Sequence, residues 1–131
     1  MTPAGHAASL WAGLHLFLLL ILSMLVVRQR QKHHVAFGDE GIPELAQAIR
    51  AQANAAEYIP AGIAAIAALA VAGAPPLVIH LGGVALFLGR VIHAVALSRS
   101  TGSSMARSIG MLATWVAYIF IGSCLLVFAM F

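Results

Sequence analysis

The stretch "AIRAQANAAEYIPAGIAAIAALAVAG", residues 48–73, decides how this chain is to be read. It has the length and apolar texture of a bilayer-crossing helix, yet its first third holds Arg50, Gln52, Asn54, Glu57 and Tyr58. Charged side chains at mid-membrane cost about 2.5–3.5 kcal/mol on insertion scales, so they turn toward protein or a wet cavity. At the helical repeat, Arg50, Asn54 and Glu57 fall within an arc of about 60°, with Gln47 at its edge and Tyr58 beside it. Ala61, Ala64, Ala65, Ala68 and Ala72 continue that face. One side of the helix is therefore predicted to be polar at its start and small-residue beyond, where another helix can approach closely. Pro60 lacks an N–H, which leaves the Ala56 carbonyl without its helical donor and predicts a bend beside Glu57.

The rest of the chain has the same texture. Of 131 residues, 62% are hydrophobic and 8% charged, and the mean hydropathy is +0.98. Soluble domains average about 45–50% apolar and roughly 25% charged residues, so this chain belongs in a bilayer. A hydrocarbon core of about 30 Å takes roughly 20 residues of helix. Four spans fit, at about 7–30, 44–72, 76–98 and 107–131. Continuous apolar runs of helical length exclude a β-barrel, whose strands alternate over about ten residues. The expected fold is all-α, an integral membrane four-helix bundle forming a single domain over 1–131. The first span is read as retained rather than as a cleaved signal, because its positive charges follow the apolar run.

Cations set the expected orientation. Arg28, Arg30 and Lys32 follow the first span, Arg99 and Arg107 flank the last connection, and the "AGAPP" link carries none. The positive-inside rule then places the first and third loops in the cytoplasm and both termini outside. The net charge of +3 is thereby read as topology, with membrane lipid as a partner and no nucleic acid. The one long loop expected is "QKHHVAFGDEGIP", residues 31–43. Cys124 is the single cysteine and is read as a packing residue. His15 and His80 stand alone on their spans and His33 and His34 project differently, so no metal site is assigned. Gly82, Gly83 and Gly89 are read as helix-packing positions.

The third and fourth spans carry polar residues at the same end. Arg90 is about 10 Å inside the third span's end, a depth comparable with that of Glu57. An unpaired charge there is expensive, so Glu57 and Arg90 are expected within salt-bridge reach. His93 lies one turn from Arg90, and Arg107, Thr114 and Tyr118 share a face of the fourth span, with Ser108 beside Arg107. Thr114 and Tyr118 are read as satisfying helix carbonyls or sitting at an interface. Arg50, Arg90 and Arg107 together suit an anionic ligand, because guanidinium groups grip carboxylates by bidentate hydrogen bonds. Asn54 and Glu57 suit an amide and an ammonium.

With "RAQANAAEYIP" at 50–60, "LGRVIHAVAL" at 88–97, "ARSIGM" at 106–111 and the segment "VRQRQKHHVAFGDEGIPELAQAIR", the chain resembles the MAPEG family, the membrane-associated proteins in eicosanoid and glutathione metabolism. The likeness covers nearly the whole chain and points to the small bacterial branch. It implies a homotrimer with the second span lining the central core, and glutathione bound between adjacent subunits at the cytoplasmic end. By resemblance, Arg50, Asn54, Glu57 and Tyr58 match glutathione-binding positions, as do Arg90, His93 and Arg30. Arg107 matches a thiol-facing arginine, and Ser108 a serine beside it in one eicosanoid-producing branch. Many characterised members have a tyrosine four residues after the His93 position, where this chain has Leu97.

The resemblance implies a glutathione-dependent transferase or peroxidase acting on a lipophilic electrophile or hydroperoxide, in a bacterial inner membrane. A polar strip just inside the membrane would let a hydrophilic tripeptide meet a greasy partner. Two other readings stand beside it. One is a non-catalytic lipid- or glutathione-binding member of the family. The other is a small four-helix exporter, which would carry a glutamate in its first span, where this chain has none.

Overall fold

The structure, a computed structural model, describes residues 1–99 and 104–130. Four helices follow one another: α1 (Pro3–His33), α2 (Pro43–Val71), α3 (Pro76–Arg99) and α4 (Met105–Met130). Each is long and apolar enough to cross a membrane. Their termini follow local chemistry. Thr2 accepts a hydrogen bond from the Gly5 amide at 3.0 Å, and Pro3, whose missing N–H is no loss in a first turn, starts α1. α1 runs on to His33 because Gln31 and Lys32 offer no break, so the loop is shorter than the sequence suggests. The helix stops where His34 turns left-handed (φ 56°) and Val35 donates back to the Arg30 carbonyl at 3.0 Å. α2 ends in a similar way, with Gly73 at φ 83° and Ala74 donating to the Leu69 carbonyl. Ser104 caps α4 by accepting from the Arg107 amide at 3.2 Å. The expected fourth span ends at residue 131, which lies outside the described residues.

Packing contacts fix the arrangement. α3 runs antiparallel to α4, with Gly82 against Ile121, Gly89 against Thr114 and Gly110 against His93. It runs antiparallel to α2, where Gly62 meets Leu86. Trp11 of α1 lies over Gly83 and His15 meets Phe87 edge-on, so α1 and α3 are parallel. Both α2 and α3 have their backbones against all three other helices, whereas among the described residues the backbones of α1 and α4 do not approach each other. The cross-section is a rhombus with α2 and α3 on its short diagonal. The end of α1 and the start of α2 therefore share one end of the bundle with the end of α3 and the start of α4. This is the charged end.

Two apolar clusters fill the interior. One gathers Trp11, Ile66, Leu69, Ile79, Leu86, Ala117 and Ile121 in the half away from the charged end. The other joins Leu22, Ala51, Ala55, Ile59, Ala94 and Leu97 nearer to it. Between α3 and α4 the backbones themselves meet. A Cβ at Gly110 would lie 2.5 Å from the His93 nitrogen, and one at Gly89 would lie 2.9 Å from the Thr114 nitrogen. Only glycine allows that approach. The outward faces of α1 and α4 remain apolar, with Phe17, Ile21, Met24, Trp115 and Ile119 more than half exposed.

Candidate functional site

The polar residues of the charged half divide into three groups. The innermost is built on Arg90, which is 1% exposed. Its Nε donates to Thr114 Oγ1 at 2.9 Å and its Nη1 donates to Asn54 Oδ1 at 2.8 Å. The guanidinium carbon stands 4.9 Å from the centre of the Tyr58 ring, within cation–π range. The Thr114 hydroxyl itself donates a hydrogen bond to the Gly110 carbonyl at 2.9 Å, and the Tyr118 hydroxyl donates to the Tyr58 carbonyl. Both α4 side chains thus satisfy helix carbonyls, as read from the sequence. One arginine ties α2, α3 and α4 together. Its Nη2 has no hydrogen-bond partner among the described residues.

The expected ion pair between Glu57 and Arg90 is not present. Arg90 is held by neutral oxygens, and Glu57 is exposed. The reason is the width of the polar arc. Asn54 and Glu57 are three residues apart, a rotation of about 60° between their directions on the helix. The buried flank of α2 runs through Ala51, Asn54, Ala55, Ile59 and Gly62, so Asn54 faces α3 and Glu57 has rotated past the edge. Arg50 is exposed with it.

The second group lies one turn nearer the charged end. His93, Ser104, Arg107, Ser108 and Met111 line a cavity of about 220 Å³ between the end of α3 and the start of α4. The close approach at Gly110 brings His93 against α4, and the Ser104 cap fixes the turn that carries Arg107 and Ser108. His93 is buried and Arg107 half-buried, while Ser108 is exposed. A guanidinium, an imidazole and two hydroxyls around a small open cavity make a site suited to a single anionic atom or group, since charge-assisted hydrogen bonds are the strong ones. Ser104 and Met111 were not singled out from the sequence. Ser104 had a signal, its position three residues before Arg107 at a helix start, and Met111 lies one turn beyond Arg107 on the same face.

The third group is peripheral. Arg30, half-buried at the end of α1, donates from Nη1 to the Gly38 carbonyl at 3.0 Å and so ties down the loop that follows. Arg50 and Glu57 stand on the outer face of α2 beside Ala56, Ala61, Ala64 and Ala68, all exposed. Within one chain, then, Asn54, Tyr58 and Arg90 meet, and His93, Arg107 and Ser108 meet. Arg30, Arg50 and Glu57 do not join either group. Leu97, where the resembled family carries tyrosine, is buried in the apolar cluster with Leu22 and Ala94. Among the described residues no group of three or more histidine, cysteine or acidic side chains is placed to hold a metal ion.

Comparison with known proteins places the chain in a family. The MAPEG family matches residues 8–127. Inner membrane protein YecN of Escherichia coli (strain K12) is 38% identical over 110 residues, covering 84% of this chain and 82% of its own length. The protein of the same name from Escherichia coli O6:H1 (strain CFT073) matches to the same extent. The matched span contains all four helices apart from their outermost turns, together with both polar groups. On that extent of similarity, this four-helix membrane chain belongs to the MAPEG family.

Proposed function

We propose that the protein is a membrane-embedded glutathione-dependent transferase or peroxidase, working on a lipophilic electrophile or hydroperoxide. The observation that carries this reading is the cavity that gathers His93, Arg107 and Ser108. Family membership supports glutathione as the ligand, and the residues fit its chemistry. Glutathione offers carboxylates, amides, an ammonium and a thiol, and the chain offers an unsatisfied buried guanidinium N–H on Arg90 together with exposed Arg50 and Glu57. When bound, it supplies the sulfur nucleophile.

The chain's own residues do the rest. A free thiol ionises at about pH 8.5, and a cation beside it favours the charged form. Arg107 holds the guanidinium for that task, and Ser108 supplies a hydroxyl donor beside it. His93, Asn54, Tyr58 and Arg90 provide the fixed polar wall, with Arg30, Arg50 and Glu57 gripping the ionic ends of the peptide. Because those last three stand apart from the cavity in one chain, the site closes only when copies associate. The alanine strip of α2 is the surface for that association, since small exposed residues let helices pack closely, and a homotrimer is the assembly that the family supports.

Arg28, Arg30, Lys32, Arg99 and Arg107 all lie toward one end of the bundle. The positive-inside rule puts that end in the cytoplasm and both termini outside, in an inner membrane like that named for YecN. The test is turnover by the purified protein: conjugation of glutathione to an aryl halide and reduction of a lipid hydroperoxide. Activity in either assay, lost in Arg107→Ala, is the expected result. Glutathione binding with no turnover of either partner would contradict the catalytic reading.

A further inference from the structure

Ser104 caps α4 and also lines the cavity that holds His93, Arg107 and Ser108. It is half-buried. Its Oγ accepts from the Arg107 amide at 3.2 Å. That bond uses a lone pair and leaves the hydroxyl proton uncommitted, since a serine hydroxyl carries one donor besides its acceptor sites. Among the described residues the proton meets no acceptor. Across the cavity, His93 is 6% exposed, and its ring also makes no hydrogen bond among the described residues. Buried polar groups are nearly always satisfied, so a cavity walled by such groups points to a ligand that completes them.

The two serines of the cavity differ in how they are held. Ser108 is exposed, and ordering its hydroxyl on binding costs rotamer freedom. Ser104 is restrained beforehand, because the Arg107 amide holds its oxygen. A donor that needs no reorganisation is worth more to a charge than one recruited from solvent. The same bond ties this hydroxyl to the turn that carries the guanidinium, so the two are placed as one unit.

We propose that Ser104 is a second anchor for the anionic atom beside Arg107: its oxygen caps α4, and its hydroxyl donates to the ionised sulfur of glutathione. The inference rests on the glutathione reading and adds to it the residue that fixes the thiolate.

The test is a pH titration of full-length protein in lipid nanodiscs with saturating glutathione. Thiolate absorbance is read as a difference from free glutathione, and unfolding midpoints are measured alongside. Glycine is an acceptable helix cap and alanine a poor one, so Ser104→Gly and Ser104→Ala separate the two roles. Both should raise the pH of half-ionisation by about one unit, the tenfold effect of one hydrogen bond to a charged group. Only Ser104→Ala should lower the unfolding midpoint. Ser104→Thr, which keeps the hydroxyl, should titrate like the wild type, and Ser108→Ala should shift less than Ser104→Gly. If Ser104→Ala fails to fold, the glycine and threonine variants carry the test. A shift confined to Ser104→Ala would reveal a cap alone and overturn the proposal. So would a Ser108→Ala shift as large as that of Ser104→Gly. A wild type that never ionises glutathione would remove the underlying reading as well. A wild type that does so, with Ser104→Gly unchanged, would remove this proposal only.

Discussion

Arg90 and Asn54 are joined by a 2.8 Å hydrogen bond from Nη1 to Oδ1, and no carboxylate balances the buried charge among the described residues. A buried cation held by neutral oxygens depends on each of them, because removing one partner leaves its donor unmet at a cost of about 1–3 kcal/mol. Thr114→Val and Asn54→Leu should each destabilise the fold by about that much, as measured by unfolding in mixed micelles. Arg90→Met combined with Asn54→Leu should recover most of the loss, since replacing both partners by apolar groups is often neutral. Additive losses in the double variant would contradict the pairing.

Glu57 has a different prediction from the one an ion pair would give. It is exposed and makes no bond to Arg90. Glu57→Gln should therefore leave the unfolding midpoint of the chain unchanged while weakening glutathione binding, as calorimetry on the purified protein would measure. A lowered midpoint with intact binding would show that the carboxylate serves the fold instead.

The α3–α4 contact should be intolerant of added volume. A Cβ at Gly110 would sit 2.5 Å from the His93 nitrogen, whereas nothing lies within 4 Å of one at Gly13. Overpacking costs about 1–3 kcal/mol, so Gly110→Ala should destabilise by that order and reshape the cavity at Arg107. Gly13→Ala, in open space on α1, should gain up to about 1 kcal/mol from helix propensity. Thermal unfolding of the pair separates the two effects. Equal behaviour would mean that the helices are further apart than described.

Much of the architecture was legible in the sequence, and the limits have physical causes. Four spans follow from hydropathy, because an apolar run of membrane length has few alternatives. The helical face bearing Arg50, Asn54 and Glu57 was also legible, but an arc of about 60° does not say where burial stops along it. Periodicity therefore grouped Glu57 with Asn54, and only the contact with α3 separates them. Thr114 and Tyr118 were readable as carbonyl-satisfying residues, while the acceptance by Thr114 of the Arg90 Nε–H depends on the register between α3 and α4. The same holds for Trp11, whose Nε1 donates to His80 Nδ1 at 3.2 Å from 69 residues away. No local spacing encodes such a pair. The length of α1 was underestimated because charge was taken as the end of the helix, whereas the chain leaves it only at the left-handed His34.

In the proposed function, Arg107, with Ser108 beside it, favours the ionised sulfur of bound glutathione. The most direct measurement is a glutathione titration of purified protein near neutral pH, followed by the ultraviolet absorbance of the thiolate, in the wild type and in Arg107→Ala. A saturable rise is expected in the wild type and its loss in the variant, with glutathione binding weakened but still measurable. A wild type that binds glutathione without any such rise, or a variant that matches the wild type, would contradict it.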